Sequence, residues 1–201
     1  MVKESLARKD QLLVHCAGDK PVELLFNAME RLSSKNEWRK MRVRIEHGDG
    51  LISDLIPRAS RLGVVVVQNP SHFTFSEIVR SRYGSDLQFF PLGSLLDARI
   101  PVAFGSDGPL NPYLNIMFAV IHPSRPTEAL TREQAVEAYT RGSAFAEHAE
   151  REKGSIEKGK LADVAVLSQD IFIVPLGELP KTVSVLSIIG GKIVYDAGVL
   201  N

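Results

Sequence analysis

A chain of 201 residues, 44% hydrophobic and 24% charged, can bury a sizeable core as one large domain or as a medium domain with a smaller piece. Its 24 basic residues balance its 24 acidic ones, so no net field draws it toward nucleic acid or an anionic membrane surface. The single cysteine, Cys16, excludes an internal disulfide framework, and with neither a signal-peptide pattern nor an apolar run of about 18 residues the expectation is a cytoplasmic chain without a membrane span.

Residues up to Gln11 read as a helix end or linker, and Leu12-Leu13-Val14 as a short buried strand running into His15. Pro21 suits a first helical turn, after which Val22, Leu25, Phe26 and Met29 recur at helical spacing and predict a helix ending near Ser33. The charged stretch Ser34 to Lys40 is predicted as a return loop. Val43 and Ile45 then carry a second strand to Glu46-His47, completing one βαβ crossover.

Ile52, Leu55, Ile56 and Ala59 predict the next helix, stopped by a C-cap at Gly63. Val64-Val65-Val66-Val67 is β-branched throughout, as in a strand covered on both faces, and it ends in the polar run Gln68-Asn69-Pro70-Ser71-His72. From Phe73 to Gln88 a less regular, substrate-facing lid is expected, with a loop at Tyr83-Gly84-Ser85-Asp86. Phe89-Phe90-Pro91 opens a short helix through Leu92, Leu95 and Leu96. Pro101 starts a fourth strand that stops at Gly105-Ser106-Asp107-Gly108-Pro109.

Leu110 to Pro126 is predicted as a loop around an apolar turn, with Asn111-Pro112-Tyr113 and His122-Pro123 at its ends. Thr131 and Gln134 form a capping-box pattern, and Ala135, Ala138, Tyr139 and Gly142 give the new helix a narrow face for close packing. Beyond the charged linker Glu152 to Lys160 come only strand patterns, Leu161 to Leu167, Val183 to Ile189 and Lys192 to Tyr195, the last two joined by a Gly190-Gly191 hairpin. A domain boundary is placed near residue 150. The chain before it reads as four βα units, close to half of a (β/α)8 TIM-type barrel of about 250 residues. Such a half leaves two strand edges and one core face uncovered, so either residues before Met1 complete it or two copies close a barrel together.

Three of the predicted strands end in His15, His47 and Asp107. In parallel α/β barrels the chemistry sits at these strand ends, and two imidazoles with a carboxylate are the donors that hold zinc while leaving a position open for water. Asp107 between glycines is also open to a turn-stabilising role. His72 is read as a substrate contact or a loop hydrogen bond, and Asn69 as a polar group at the same strand mouth. His122 either faces substrate or is structural, and Cys16 is a buried small hydrophobe behind the site.

Val14-His15-Cys16-Ala17-Gly18-Asp19, Arg44-Ile45-Glu46-His47, Gln68-Asn69-Pro70-Ser71-His72-Phe73, Phe104-Gly105-Ser106-Asp107 and the segment from Gly154 to Asp163 follow one another in an order that resembles the amidohydrolase superfamily, and most of all its amidohydrolase 3 branch. The resemblance covers nearly the whole chain but only the C-terminal part of the family. It implies a barrel holding one or two divalent metals, zinc first among them, where a metal-activated water attacks a carbon–nitrogen bond of a small molecule. By the same resemblance, His15 matches the ligand after the fifth strand, and His47 the ligand or hydrogen-bond donor after the sixth. Asp107 matches the eighth-strand carboxylate that touches metal and shuttles the proton. Asn69, His72 and His122 are expected to face substrate. Residues 1–150 are then half a barrel and 151–201 part of the small β-sandwich beside it. The family's ligands from the first and fourth strands have no counterpart here, which leaves as alternatives a catalytically silent half-barrel module or a homo-oligomer that completes itself.

Overall fold

The computed structural model describes residues 1–83 and 89–200; the loop expected at Gly84, Ser85 and Asp86 lies outside them. Four strands, β1 (Leu13–Cys16), β2 (Arg44–His47), β3 (Val65–Gln68) and β4 (Val102–Phe104), lie side by side in chain order and are parallel throughout. Their C-terminal ends therefore share one edge. The register places Cys16 beside His47 and Gln68 beside Phe104, so the residues that follow the strands emerge next to one another.

Most of the helices pack one face of this sheet. α1 (Val2–Arg8) precedes β1, and α2 (Asp19–Leu32) buries Val22, Leu25, Phe26 and Met29, the face predicted from their spacing. The expected return loop at Ser34 to Lys40 is instead a helix, α3 (Lys35–Met41). Ser34 caps it by accepting from the Glu37 N–H at 3.4 Å, and Trp38 is fully buried, donating its indole N–H to the Met29 carbonyl at 2.9 Å. Its inward face is only Trp38 and Met41, too few apolar positions to mark a period among four charged neighbours. α4 (Ile56–Leu62) begins later than expected because Pro57 occupies its first turn, and it ends as expected at Gly63, whose φ is 69°.

Past β3, a 3₁₀ turn (Pro70–Phe75) leads into α5 (Ser76–Tyr83), so the stretch expected to be irregular is helical as far as it is described. α6 (Leu92–Asp97) follows the predicted bounds. The loop expected from Leu110 to Pro126 is overturned by α7 (Pro112–Ile121). Asn111 caps it by accepting from the N–H groups of Tyr113 and Leu114, both at 3.0 Å. Pro112 and Pro123 read as loop markers, yet they stand at the first helical position and just past the His122 C-cap, where proline costs a helix nothing.

Thr131 and Gln134 form the capping box of α8 (Arg132–Glu137), which runs through a π turn (Ala138–Gly142) into α9 (Ser143–Ala146). Gly142 is obligatory there, since a Cβ would strike the Val102 carbonyl oxygen. The far end of α9 covers part of the core face expected to be open, at β3 and β4, while Leu13 of β1 stays half exposed. On the helix-covered side, Ile45, Val64, Val66, Val102 and Phe104 join the main core, whereas on the other side Val65, Val67 and Ala103 pack against Ala146 and Phe145. The Gln11 amide donates to the carbonyls of Ala146 at 2.7 Å and Arg42 at 2.9 Å. The Arg42 guanidinium grips both Glu150 carboxylate oxygens at 2.6 and 2.9 Å while lying 3.8 Å over the Phe145 ring. The chain thus folds its own segment across part of the inner face.

The last strands, β5 (Val164–Leu167), β6 (Ser184–Ile189) and β7 (Lys192–Asp196), form an antiparallel sheet in that order. Gly190 and Gly191, at φ 57° and 79°, make the predicted two-residue hairpin between β6 and β7. No helix among the described residues is long and apolar enough to cross a membrane.

Candidate metal centre

His47 ends β2 at φ 71° and is followed by Gly48 at φ 61°. A Cβ on Gly48 would come within 2.7 Å of Val66 Cγ1, so glycine lets this turn press against β3 and directs the imidazole over the strand ends. Asp107 lies past β4 at φ 50°, a region that aspartate tolerates better than most residues. His72 reaches the same place from the 3₁₀ turn. His47 Nε2 lies 3.8 Å, and His72 Nε2 3.6 Å, from the same Asp107 oxygen. One donor atom from each of the three falls within 4.8 Å of the others.

His15 stands beside this group rather than within it. Its ring meets His47 edge-on at 4.5 Å between centroids, while His72 stacks with His47 at 5.4 Å. Burial lowers the pKa of His47, and the neighbouring His15 and His72 lower it further against the opposing pull of Asp107. Burial likewise outweighs Asp107 at His72 and lowers its pKa. Both rings are therefore neutral at neutral pH, with a lone pair free for a cation. Behind them Asp49 is buried, and that burial, helped by the charge of Asp107, pushes its carboxyl up to about 8. Asp49 Oδ1 and Gln68 Oε1 have no hydrogen-bond partner among the described residues. A cavity of about 580 Å³ opens against His15, His47, Asn69 and Asp107, with the Arg44–Glu46 ion pair along its wall.

Asn69 is at this edge but 5% exposed, with its amide engaged by protein groups. His122 is not brought there. It is fully buried, with Nε2 bonded to the Phe90 carbonyl at 2.7 Å, Nδ1 accepting from the Arg125 N–H at 3.0 Å, and Phe73 edge-on at 5.0 Å. Cys16 is 1% exposed and its thiol pKa is raised by burial, as a small hydrophobe behind the site should be.

Sequence reasoning missed the residues that tie the loops together. Ser71 donates its N–H to Asn115 Oδ1 at 2.7 Å and its hydroxyl to the Ser106 carbonyl at 3.0 Å. Asn115 donates to Ser106 Oγ at 3.1 Å, and that hydroxyl also meets the Tyr139 hydroxyl at 2.8 Å. The loops bearing His72 and Asp107 are thereby stitched to each other. A signal existed: Asn115 is a lone amide in the otherwise apolar helix Pro112–Ile121.

The sequence model of the amidohydrolase family matches residues 1–195. The YtcJ protein of Bacillus subtilis (strain 168) is 31% identical over 98% of this chain and 39% of its own length. The N-substituted formamide deformylase of Arthrobacter pascens is 29% identical over 92% of this chain and 36% of its own. Among solved structures, an uncharacterized metal-dependent hydrolase from Pyrococcus furiosus has a TM-score of 0.69 and 27% identity, covering 79% of this chain and 34% of that one. The chain spans less than two fifths of the length of these relatives.

Proposed function

Because the chain belongs to the amidohydrolase family, we propose that it supplies the fifth to eighth strands of a (β/α)8 barrel in a metal-dependent hydrolase, residues 1–150 being barrel and 151–201 part of the adjoining small β-sandwich. The observation that carries this reading is the convergence of His47, His72 and Asp107 within 4.8 Å at one sheet edge. Two neutral imidazoles and a carboxylate fit a divalent cation of borderline softness, zinc before magnesium or calcium, which prefer oxygen. His15, ring to ring with His47, is the donor next in reach, and with it the intact barrel would hold one or two ions.

When bound, such an ion polarises the substrate and makes water nucleophilic near neutral pH. Asp107, whose side chain is 62% exposed, takes the proton of the attacking water and returns it to the leaving nitrogen as the carbon–nitrogen bond breaks. His47 and His72 are kept neutral by burial and so remain donors rather than cations. The substrate is a small molecule, and a relative named for deformylating N-substituted formamides belongs to the same bond class. The remainder of the barrel comes from additional chain or from a second copy, and the single buried Cys16 suits the cytoplasm.

Elemental analysis of the purified chain tests this reading. About one tightly held zinc, lost in His47→Ala, His72→Ala and Asp107→Ala, is expected; a folded wild type that takes up no metal overturns it. His15→Ala, expected to weaken rather than abolish uptake, separates the neighbouring donor from the three.

A further inference from the structure

We infer that Asn69 is a positioning residue that holds His47 as its Nδ1–H tautomer, leaving the Nε2 lone pair to face Asp107 and His72. This rests on His47 being a metal donor, and it replaces a substrate-contacting role for Asn69 with an orienting one.

Groups whose polarity cannot change set the amide orientation. The side chain of Asn69 lies against three partners: the Gly105 carbonyl at 3.0 Å, the Gln68 carbonyl at 3.2 Å and His47 Nδ1 at 3.0 Å. Backbone carbonyls only accept, so the Asn69 NH2 group must face both of them. The side-chain oxygen is then turned toward His47, and two acceptors cannot face each other at that distance, so Nδ1 carries the hydrogen. A neutral imidazole has one N–H, which leaves Nε2 as the bare nitrogen. That is the atom 3.8 Å from Asp107 Oδ2. The opposite amide orientation would set an acceptor against two carbonyls in a site 5% exposed, where water cannot relieve it.

The backbone around Asn69 is built for this contact. Gly105 donates its own N–H to the Gln68 carbonyl at 2.9 Å, which draws the β3 and β4 ends together. A Cβ on Gly105 would lie 2.8 Å from the Asn69 side-chain amide and force it to move. With its oxygen and both amide hydrogens committed, Asn69 has nothing left for a substrate. Partners that orient a ligating histidine in this way typically change metal affinity about 10–100-fold when removed.

The test reads the tautomer directly, in metal-free full chain labelled with 15N-histidine, by long-range 1H–15N correlation at about pH 8, where the ring is neutral. Wild type is expected to show His47 protonated at Nδ1 and bare at Nε2. In Asn69→Ala and in Gly105→Ala the Nδ1–H share falls, and zinc affinity measured against a chelating dye drops about 10–100-fold. His47 found as Nε2–H in wild type overturns the inference without any variant having to fold. A tautomer and a zinc affinity that survive both substitutions overturn it as well. A wild-type Nδ1–H ring in a chain that binds no zinc supports the lock and overturns the metal reading, so the two fail separately.

Discussion

Asn115 in α7 accepts the backbone N–H of Ser71 at 2.7 Å, so a helix that follows the last parallel strand holds the loop that follows the strand before it. The same amide donates to Ser106 Oγ, one residue before Asp107. Loop geometry at the candidate metal centre is therefore set from a fully buried residue that bonds to the neighbours of the donors, Ser71 and Ser106.

Asn115→Leu removes both links and leaves the Ser71 N–H without its acceptor. Zinc affinity is expected to fall by about tenfold, as for other partners that orient ligands, with stability lowered by about 1–3 kcal/mol. Isothermal titration with zinc beside a urea melt checks both; a variant destabilised to that extent but with wild-type zinc affinity would show that the stitch is structural only.

Trp38 is the one tryptophan of the chain and is fully buried, with its indole N–H on the Met29 carbonyl. Native fluorescence is expected at short wavelength, shifting to the red on unfolding. Trp38→Ala should cost about 3–5 kcal/mol, the range for emptying a large aromatic site. If the native emission were already that of a water-exposed indole, α3 would not be packed as described.

Arg42 holds the Glu150 carboxyl at about 2, below its ordinary 4.5. A depressed carboxyl pKa stabilises the fold above the unfolded value, and the contribution is lost as pH falls from about 4.5 through about 2. The Glu150 side chain is 33% exposed, so solvent screening keeps the contribution near ~1 kcal/mol. Glu150→Gln should therefore be less stable than wild type at neutral pH, with the difference closing as pH falls through about 2. Denaturant melts across that range check it; a difference that does not shrink with acid would remove the ion pair from the account of how α9 is pinned.

Signals carried by neighbouring residues are legible in the amino-acid sequence. The β-branched run at Val64 to Val67, the Thr131–Gln134 capping box, the Gly63 stop and the Gly190-Gly191 hairpin each depend on the chain within a few residues of itself. The order of the parallel strands and the family follow from the ordered motifs. α3 and α7 are not legible in this way: charges hide the two buried residues of one, and prolines that bound the other look like loop.

Residue type and strand-end position are local properties, so the order of amino acids is enough to name the side chains able to bear the chemistry. Which of them meet is settled in three dimensions. His72 joins His47 and Asp107 while His15 stands beside them and His122 is sealed under Phe73 and Phe90, since that choice depends on strand register, on close approaches at Gly48 and Gly105, and on the Asn115 stitch. Those contacts join residues tens of positions apart, and no local pattern encodes their distances.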